Sequence, residues 1–183
     1  MKTDVREKLA LPQGVTATIA GSKITVKGPK GELNRAFQVT GVKTVVEGNE
    51  LVLTATKATK REIRHLYTIL SHLRNMIKGV QSPYQYKLKI CSGHFPMSVT
   101  VAGDVFSVKN FLGEKFPRTL KIKPGVTVKV AGDIITVESA DKELAGQLSS
   151  NIELLTAKRE RDLRRFQDGI YLIEKAGAKV VET

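Results

Sequence analysis

The side chains that could support catalysis are few in this 183-residue chain. Its one cysteine, Cys91, lies close in sequence to His94, and a thiol beside an imidazole is the pairing of a nucleophile with its base. A lone cysteine at the end of a strand is more often a small hydrophobic residue, and no acidic pair forms a recognisable acid–base motif. We therefore favour a packing role for Cys91 and expect no enzymatic activity.

Metal and cofactor motifs are also weak. His65 and His72 lie on one predicted helix, but their spacing is not the i, i+4 spacing that a helical metal site prefers. The loop Gly28-Pro29-Lys30-Gly31 is rich in glycine, yet it lacks the spacing and the Lys-Ser/Thr pair of a phosphate-binding P-loop. It is better suited to a tight turn that presents Lys30. The sequence predicts no metal site and no cofactor.

The charge of the chain points to a polyanionic partner. It has 30 Lys and Arg against 18 Asp and Glu, a formal charge of +12 and a pI near 9.9. A single cysteine excludes a disulfide framework. The polar N-terminus does not read as a signal peptide, and we find no apolar run of about 18 residues that would span a membrane. These observations predict a cytoplasmic protein without a membrane partner.

The basic residues recur in corresponding loops and at one end of the chain. Each can neutralise a phosphate and release a counterion, and arginine adds bidentate geometry. Aromatic residues are only 5% and tryptophan is absent, so recognition of folded RNA by backbone and shape is favoured over stacking on single-stranded bases. The candidate RNA-binding residues are Lys27, Lys30, Lys109, Lys115, Arg118, Lys121, Arg159, Arg161, Arg164 and Arg165.

The elements that must position these residues are repeated. Segment 15–32 resembles segment 97–114, and a second match starts at Gly41 and Gly125. Four hairpin turns have glycine first and a small polar residue second, which suits positive φ at the first position. Around them apolar residues face apolar ones and polar residues face polar ones. The predicted turns are Gly21-Ser22, Gly48-Asn49, Gly103-Asp104 and Gly132-Asp133.

A helix follows the hairpins in each half. Thr59 and Glu62 form a capping-box pattern at the start of the first helix, and Gly79 is predicted to cap its end. The second helix is predicted to start near Asp141, and Lys87–Ile90 alternates like an additional strand. We predict an α+β fold made of two tandem copies of a hairpin-rich antiparallel domain with one covering helix each. The predicted domains are 1–80 and 81–183, the latter with a basic C-terminal segment.

The motifs of both halves resemble those of a known family. VKGPKGEL at 26–33, VKNFLGEK at 108–115 and RDLRRFQDGIYLIEK at 161–175 are similar to large-subunit ribosomal protein L6, in its archaeal and eukaryotic branch. The resemblance covers essentially the whole chain. It implies a duplicated fold without catalytic activity. It also implies binding to large-subunit rRNA near the stalk base, the sarcin–ricin loop and the translation-factor site.

The resemblance further implies that the second domain and the C-terminal segment carry the RNA contacts, which adds Lys175 to the candidates. Asp168, within the same motif, is expected to cap a turn or orient an arginine. The implied partners are large-subunit rRNA and neighbouring ribosomal proteins at the stalk base, with translational GTPases nearby. The alternative is a non-ribosomal protein–protein interaction module whose charge serves only solubility.

Overall fold

The computed structural model describes residues 3–37, 41–158, 161–162 and 164–180. The chain divides into two compact units, Met1–Pro83 and Tyr84–Thr183, against a predicted boundary between residues 80 and 81. In its described residues, each unit combines antiparallel sheets with one α-helix. The predicted fold class, two tandem α+β domains, is therefore confirmed.

The first unit contains two three-stranded antiparallel sheets, with strand orders β2-β3-β4 and β1-β6-β5. Helix α1 packs its apolar side against these strands, and together they enclose one hydrophobic core. The bounds of the elements are β1 Thr3–Ala10, β2 Thr16–Ala20, β3 Lys23–Gly28, β4 Gly31–Ala36, β5 Lys43–Glu47, β6 Glu50–Ala58 and α1 Lys60–Gln81.

The second unit repeats this plan and extends it. Its three-stranded sheet has the order β10-β9-β8, and its larger sheet has the order β11-β12-β7-β13-β14. The predicted additional strand is β7, which becomes central because β13 pairs along its other side. The bounds are β7 Tyr84–Cys91, β8 Ser98–Ala102, β9 Val105–Lys109, a 3-10 turn Phe111–Gly113, β10 Arg118–Lys121, β11 Thr127–Ala131, β12 Ile134–Ser139, α2 Lys142–Leu155, β13 Gly169–Lys175 and β14 Ala178–Lys179.

The hairpin registers follow from alternation of side chains across each strand. Ile19 pairs with Ile24 across the first turn, and Val130 pairs with Ile135 across the fourth, as predicted. The glycine that opens each turn has positive φ, 62° at Gly21 for example, which a side chain would strain. A slip by one residue would turn every apolar side chain away from the core, so the pattern specifies the register.

The ends of α1 confirm one prediction and contradict another. The backbone N–H of Thr59 donates to the Glu62 carboxylate at 2.6 Å, as the capping box requires. Gly79 does not end the helix, because the helix continues to Gln81 and buries Val80 completely. Pro83 disfavours helical backbone at the residue before it, so the chain becomes extended at residue 82.

Helix α2 begins where the sequence predicts. Asp141 is its N-cap, and the carboxylate accepts a hydrogen bond from the Glu143 backbone N–H at 2.8 Å. Leu148 and Ile152 lie buried on the helix face that covers the larger sheet. This packing fixes the C-terminal end of α2, where the chain turns toward the basic segment.

Candidate nucleic-acid interface

Three connecting segments of the second unit meet on one surface through their described residues. They are the loop 92–97 after β7, the segment 110–117 before β10, and the segment 156–168 after α2, of which residues 156–158, 161–162 and 164–168 are described. The side-chain amide of Asn110 donates to the Pro96 carbonyl at 2.9 Å and ties the first two segments together. We call this surface the three-loop surface, and its segments are held by side-chain hydrogen bonds as well as by the strands and the helix that they follow.

Asp168 joins the first and third segments. It is 3% exposed, and its carboxylate accepts hydrogen bonds from the Gly93 backbone at 2.5 Å and the His94 backbone at 2.9 Å, while its second oxygen lies 2.6 Å from His94 Nδ1. Burial raises the pKa of Asp168, but these hydrogen bonds outweigh it and hold the pKa well below its ordinary value. Asp168 therefore caps the backbone of the loop 92–97, which is one of the two roles expected for it, and among the described residues it orients His94 and not an arginine.

The aromatic and cationic side chains above this contact form a stack. The rings of His94 and Phe166 lie 4.8 Å apart with an interplanar angle of 25°. The guanidinium carbon of Arg161 lies 5.0 Å from the Phe166 ring centroid, within the range of a cation–π contact. Sequence reasoning missed this arrangement because the fold, and not the local spacing, brings His94 beneath the C-terminal segment.

An open groove of about 600 Å³ lies beside the stack. Apolar side chains form part of its wall, and three cations and one carboxylate form the rest. Two of the predicted RNA-binding residues line it together, although Arg118 begins β10 and Arg161 lies in the segment after α2. The lining residues are Leu112, Glu114, Arg118, Leu154, Ala157, Lys158 and Arg161.

Arg118 is committed to contacts within the protein. Its Nε and Nη2 donate to the two oxygens of Glu114 at 2.8 and 2.5 Å, and its Nη1 donates to the Leu155 carbonyl at 2.6 Å. The guanidinium also lies 4.4 Å from the Phe111 ring centroid. Hydrogen bonding to Arg118 lowers the pKa of Glu114. The geometry therefore gives Arg118 a structural role that binds the end of α2 to the start of β10.

Most of the other predicted residues are exposed cations on the second unit. Lys109 ends β9, Lys121 ends β10 and Lys175 ends β13, while Lys115 follows the 3-10 turn. Arg164 and Arg165 are exposed in the segment after α2, and Arg159 lies outside the described residues.

The two candidate lysines of the first unit lie beside one turn. Lys27 is exposed near the end of β3, and Lys30 is exposed in the turn that joins β3 to β4. The backbone N–H of Lys30 donates to the Val80 carbonyl at 2.9 Å, which anchors this turn to the end of α1. The prediction of a tight turn that presents Lys30 fits this geometry.

The candidate catalytic and metal residues do not assemble into a site. His94 pairs with Asp168, and Cys91 lies half-buried in β7. In the described ranges, no three His, Cys, Asp or Glu side chains are grouped to hold a metal ion. Of the helices in the described part of the chain, none has the length and apolar character to cross a bilayer.

Comparison with known proteins identifies the family to which the chain belongs. The pattern of a family described as ribosomal protein L6 matches residues 11–82 and 95–169, one match in each unit. The chain belongs to the ribosomal protein L6 family. Its second match includes all of the segment 110–117 and of the segment 156–168.

Individual relatives cover nearly the whole chain. The large ribosomal subunit protein uL6 of Aeropyrum pernix is 45% identical over 93% of this chain and 94% of its own length. The uL6 proteins of Methanococcus vannielii and Methanospirillum hungatei are 43% and 41% identical over 94% of this chain, and over 95% and 98% of their own lengths. Membership of the L6 family gives the chain a structural role in the ribosome and not an enzymatic one.

Proposed function

We propose that the chain is a structural constituent of the large ribosomal subunit and binds large-subunit rRNA through the three-loop surface. The observation that supports this most strongly is the convergence of exposed cations on segments that are already tied together. Lys115 comes from one segment, and Arg161, Arg164 and Arg165 come from another. The uL6 name of the archaeal relatives supports the assignment to the large subunit.

The proposed mechanism is electrostatic positioning. Each exposed cation that meets a phosphate releases a condensed counterion, and the entropy of release contributes to affinity. Because Asp168 and Arg118 fix the loops internally, the cations lie in place before RNA arrives and little ordering entropy is lost on binding. Two units on one chain can hold separate rRNA elements, with Lys27 and Lys30 presented by the first unit.

The proposed location is the base of the stalk, near the sarcin–ricin loop and the site of translational GTPases. The resemblance of motifs 108–115 and 161–175 to the archaeal and eukaryotic branch supports this location. Neighbouring ribosomal proteins at the stalk base are partners in the same proposal.

A salt titration tests the RNA-binding proposal. Binding of the full chain to large-subunit rRNA should weaken steeply and linearly on a log–log plot as salt is raised. Lys115→Gln and Arg165→Gln should each make the slope of log affinity against log salt concentration shallower by about 0.7–0.9. Arg64→Gln, the same loss of charge on an exposed position of α1, is the matched control and should leave the slope unchanged. A flat salt dependence of the wild-type chain would overturn the proposal.

A protein–protein interaction module is the second candidate, and two exposed apolar side chains favour it. Phe116 is 84% exposed and Leu154 is 66% exposed. Sedimentation of cell extract separates the candidates. An rRNA-bound protein should sediment with the large subunit and be released by nuclease and high salt, whereas a protein-bound module should keep its partner after nuclease treatment.

A further inference from the structure

We propose that the groove of the second unit binds one unpaired RNA base, which stacks on the guanidinium of Arg161. The inference rests on the proposed rRNA binding and deepens it, since it names the chemical group that enters the groove. It also departs from the expectation that this protein recognises RNA by backbone and shape alone.

The stack supplies a prepared surface for a base. The Phe166 ring stacks on the His94 ring, and the Arg161 guanidinium lies within cation–π distance of the same Phe166 ring. Arginine planes and aromatic rings are the side chains on which unstacked bases are held in RNA complexes. A base stacked on the exposed Arg161 guanidinium would add a third planar group to this cluster beside the His94 and Phe166 rings.

Contacts around Phe166 hold the aromatic ring beside which Arg161 lies. Asp168 fixes both the backbone and the ring of His94, so the ring that supports Phe166 has a defined orientation. Lys158 also fixes the segment, since its Nζ donates to the Phe166 carbonyl at 2.5 Å and to the Tyr171 hydroxyl at 2.9 Å. A guanidinium above such a support loses less side-chain entropy when a base binds.

The groove has the size and the wall chemistry that a nucleotide needs. Its volume of about 600 Å³ lies within the range of about 300–1,000 Å³ typical of small-molecule sites. Leu112, Leu154 and Ala157 offer an apolar wall for the face or edge of a base, and a base would remove the exposed Leu154 side chain from water.

The charges of the groove favour a nucleotide over an apolar peptide. Glu114 is neutralised by Arg118, to which it is hydrogen-bonded through both oxygens. Lys158 and Arg161 therefore leave an excess of positive charge beside the apolar wall. An unpaired nucleotide complements both features, because it carries a flat base and an adjacent phosphate.

Base reactivity in assembled large subunits tests the proposal. Subunits containing the wild-type chain, Arg161→Lys or Arg64→Lys are probed with reagents that modify unpaired bases. Arg161→Lys keeps the charge but removes the planar stack, and Arg64→Lys is the same exchange at an exposed arginine of α1, outside the proposed RNA-binding surface. We expect one unpaired base to become reactive in Arg161→Lys only. Unchanged reactivity at every base in a fully incorporated Arg161→Lys variant would overturn the proposal.

A crosslink provides the second measurement, which does not depend on incorporation of that variant. The change Leu154→benzoylphenylalanine places a photoreactive ring on the groove wall while Arg161 is kept. A crosslink to an unpaired rRNA base supports the proposal, whereas a crosslink to a protein, or none, overturns it. These outcomes are distinct from failure of the proposed function, which would appear as salt-independent or absent binding of the wild-type chain to rRNA.

Discussion

His94 Nδ1 lies 2.6 Å from a carboxylate oxygen of Asp168, and 74 positions of sequence separate the two residues. The contact closes the loop after β7 onto the segment that precedes β13. It therefore couples the strand pairing of β7 with β13 to the orientation of the His94 ring beneath Phe166. One buried carboxylate thus joins the fold of the second unit to its proposed binding surface.

Removal of this carboxylate should destabilise the second unit. Asp168→Ala leaves the backbone N–H groups of Gly93 and His94 without their acceptor, and we expect a loss of about 2 kcal/mol in the free energy of unfolding. Asp162→Ala is the control, because Asp162 is exposed and accepts one local hydrogen bond from the Arg164 backbone. Urea unfolding measures both variants. Equal midpoints for the two would contradict the structural role of Asp168.

The same contact predicts a defined dependence of stability on pH. Because the pKa of Asp168 is lowered in the folded protein, the unfolded chain binds its proton first as the pH falls. The stabilisation is present above the unfolded pKa of about 3.9 and is lost progressively as the pH falls from there toward the folded pKa. The free energy of unfolding should therefore fall more steeply below about pH 4 for the wild type than for Asp168→Asn. Denaturant titrations over this pH range measure the free energy of unfolding of both proteins. The same pH dependence in both would show that Asp168 does not cause the loss of stability.

The hairpins and the helix starts could be predicted from sequence because their determinants are local. A turn glycine and alternating side chains specify the pairing of Ile19 with Ile24, and the Thr59 and Glu62 pair specifies where α1 begins. The end of α1 could not be predicted in this way. The burial of Val80 and the restriction imposed by Pro83 outweigh the helix-ending preference of Gly79.

The candidate site was predictable in its charges and not in its geometry. Among the described residues, the predicted cations other than Arg118 are exposed, because lysine and arginine keep their charged ends in water. The sequence contains no strand motif of the stacking type, in which aromatic residues are interleaved with arginine or lysine, yet folding brings His94 and Phe166 close to Arg161. The same limit applies to Arg118, whose partner Leu155 is 37 positions away, so its contacts could not be inferred from spacing.

The turn that presents Lys30 depends on the absence of a side chain at Gly28. A Cβ built there would lie 2.7 Å from the nearest Val80 side-chain atom and 3.0 Å from its carbonyl oxygen. We expect Gly28→Ala to cost about 1–3 kcal/mol in unfolding free energy, as over-packing does. The effect should shrink only in part in the Val80→Ala background, because this change removes the Cγ2 contact at 2.7 Å and keeps the contacts with the Val80 Cβ at 2.9 Å and carbonyl oxygen at 3.0 Å.

Gly93→Ala is the matched control for this prediction. A Cβ at Gly93 meets nothing closer than a carboxylate oxygen of Asp168 at 3.8 Å, which is ordinary contact. Thermal unfolding should therefore change little in Gly93→Ala and clearly in Gly28→Ala. If the effects of Gly28→Ala and Val80→Ala on the free energy of unfolding were fully additive, the contact with the Val80 Cγ2 atom would not contribute to the cost.

Loss of charge at Arg118 should lower the stability of the protein, whereas the same loss at Lys115 should not. Arg118→Gln removes hydrogen bonds to Glu114 and to the Leu155 carbonyl, and we expect a loss of about 2 kcal/mol in the free energy of unfolding. Lys115→Gln should change stability by less than about 0.5 kcal/mol, because Lys115 is exposed. Chemical denaturation of both variants checks the contrast. If Arg118→Gln were as stable as the wild type, its role would lie in RNA contact instead.

Phe116 should matter to assembly and not to folding. It is 84% exposed, whereas Phe111, five positions earlier in the same connection, is 1% exposed. Phe116→Ala should change the free energy of unfolding by less than about 0.5 kcal/mol, and Phe111→Ala should cost about 3–5 kcal/mol. If the proposed interface is correct, the Phe116 ring is covered in the large subunit, and Phe116→Ala should be removed from purified subunits at lower salt than the wild type. Salt washes followed by sedimentation measure this release. If Phe116→Ala is released at the same salt concentration as the wild type, Phe116 lies outside the interface.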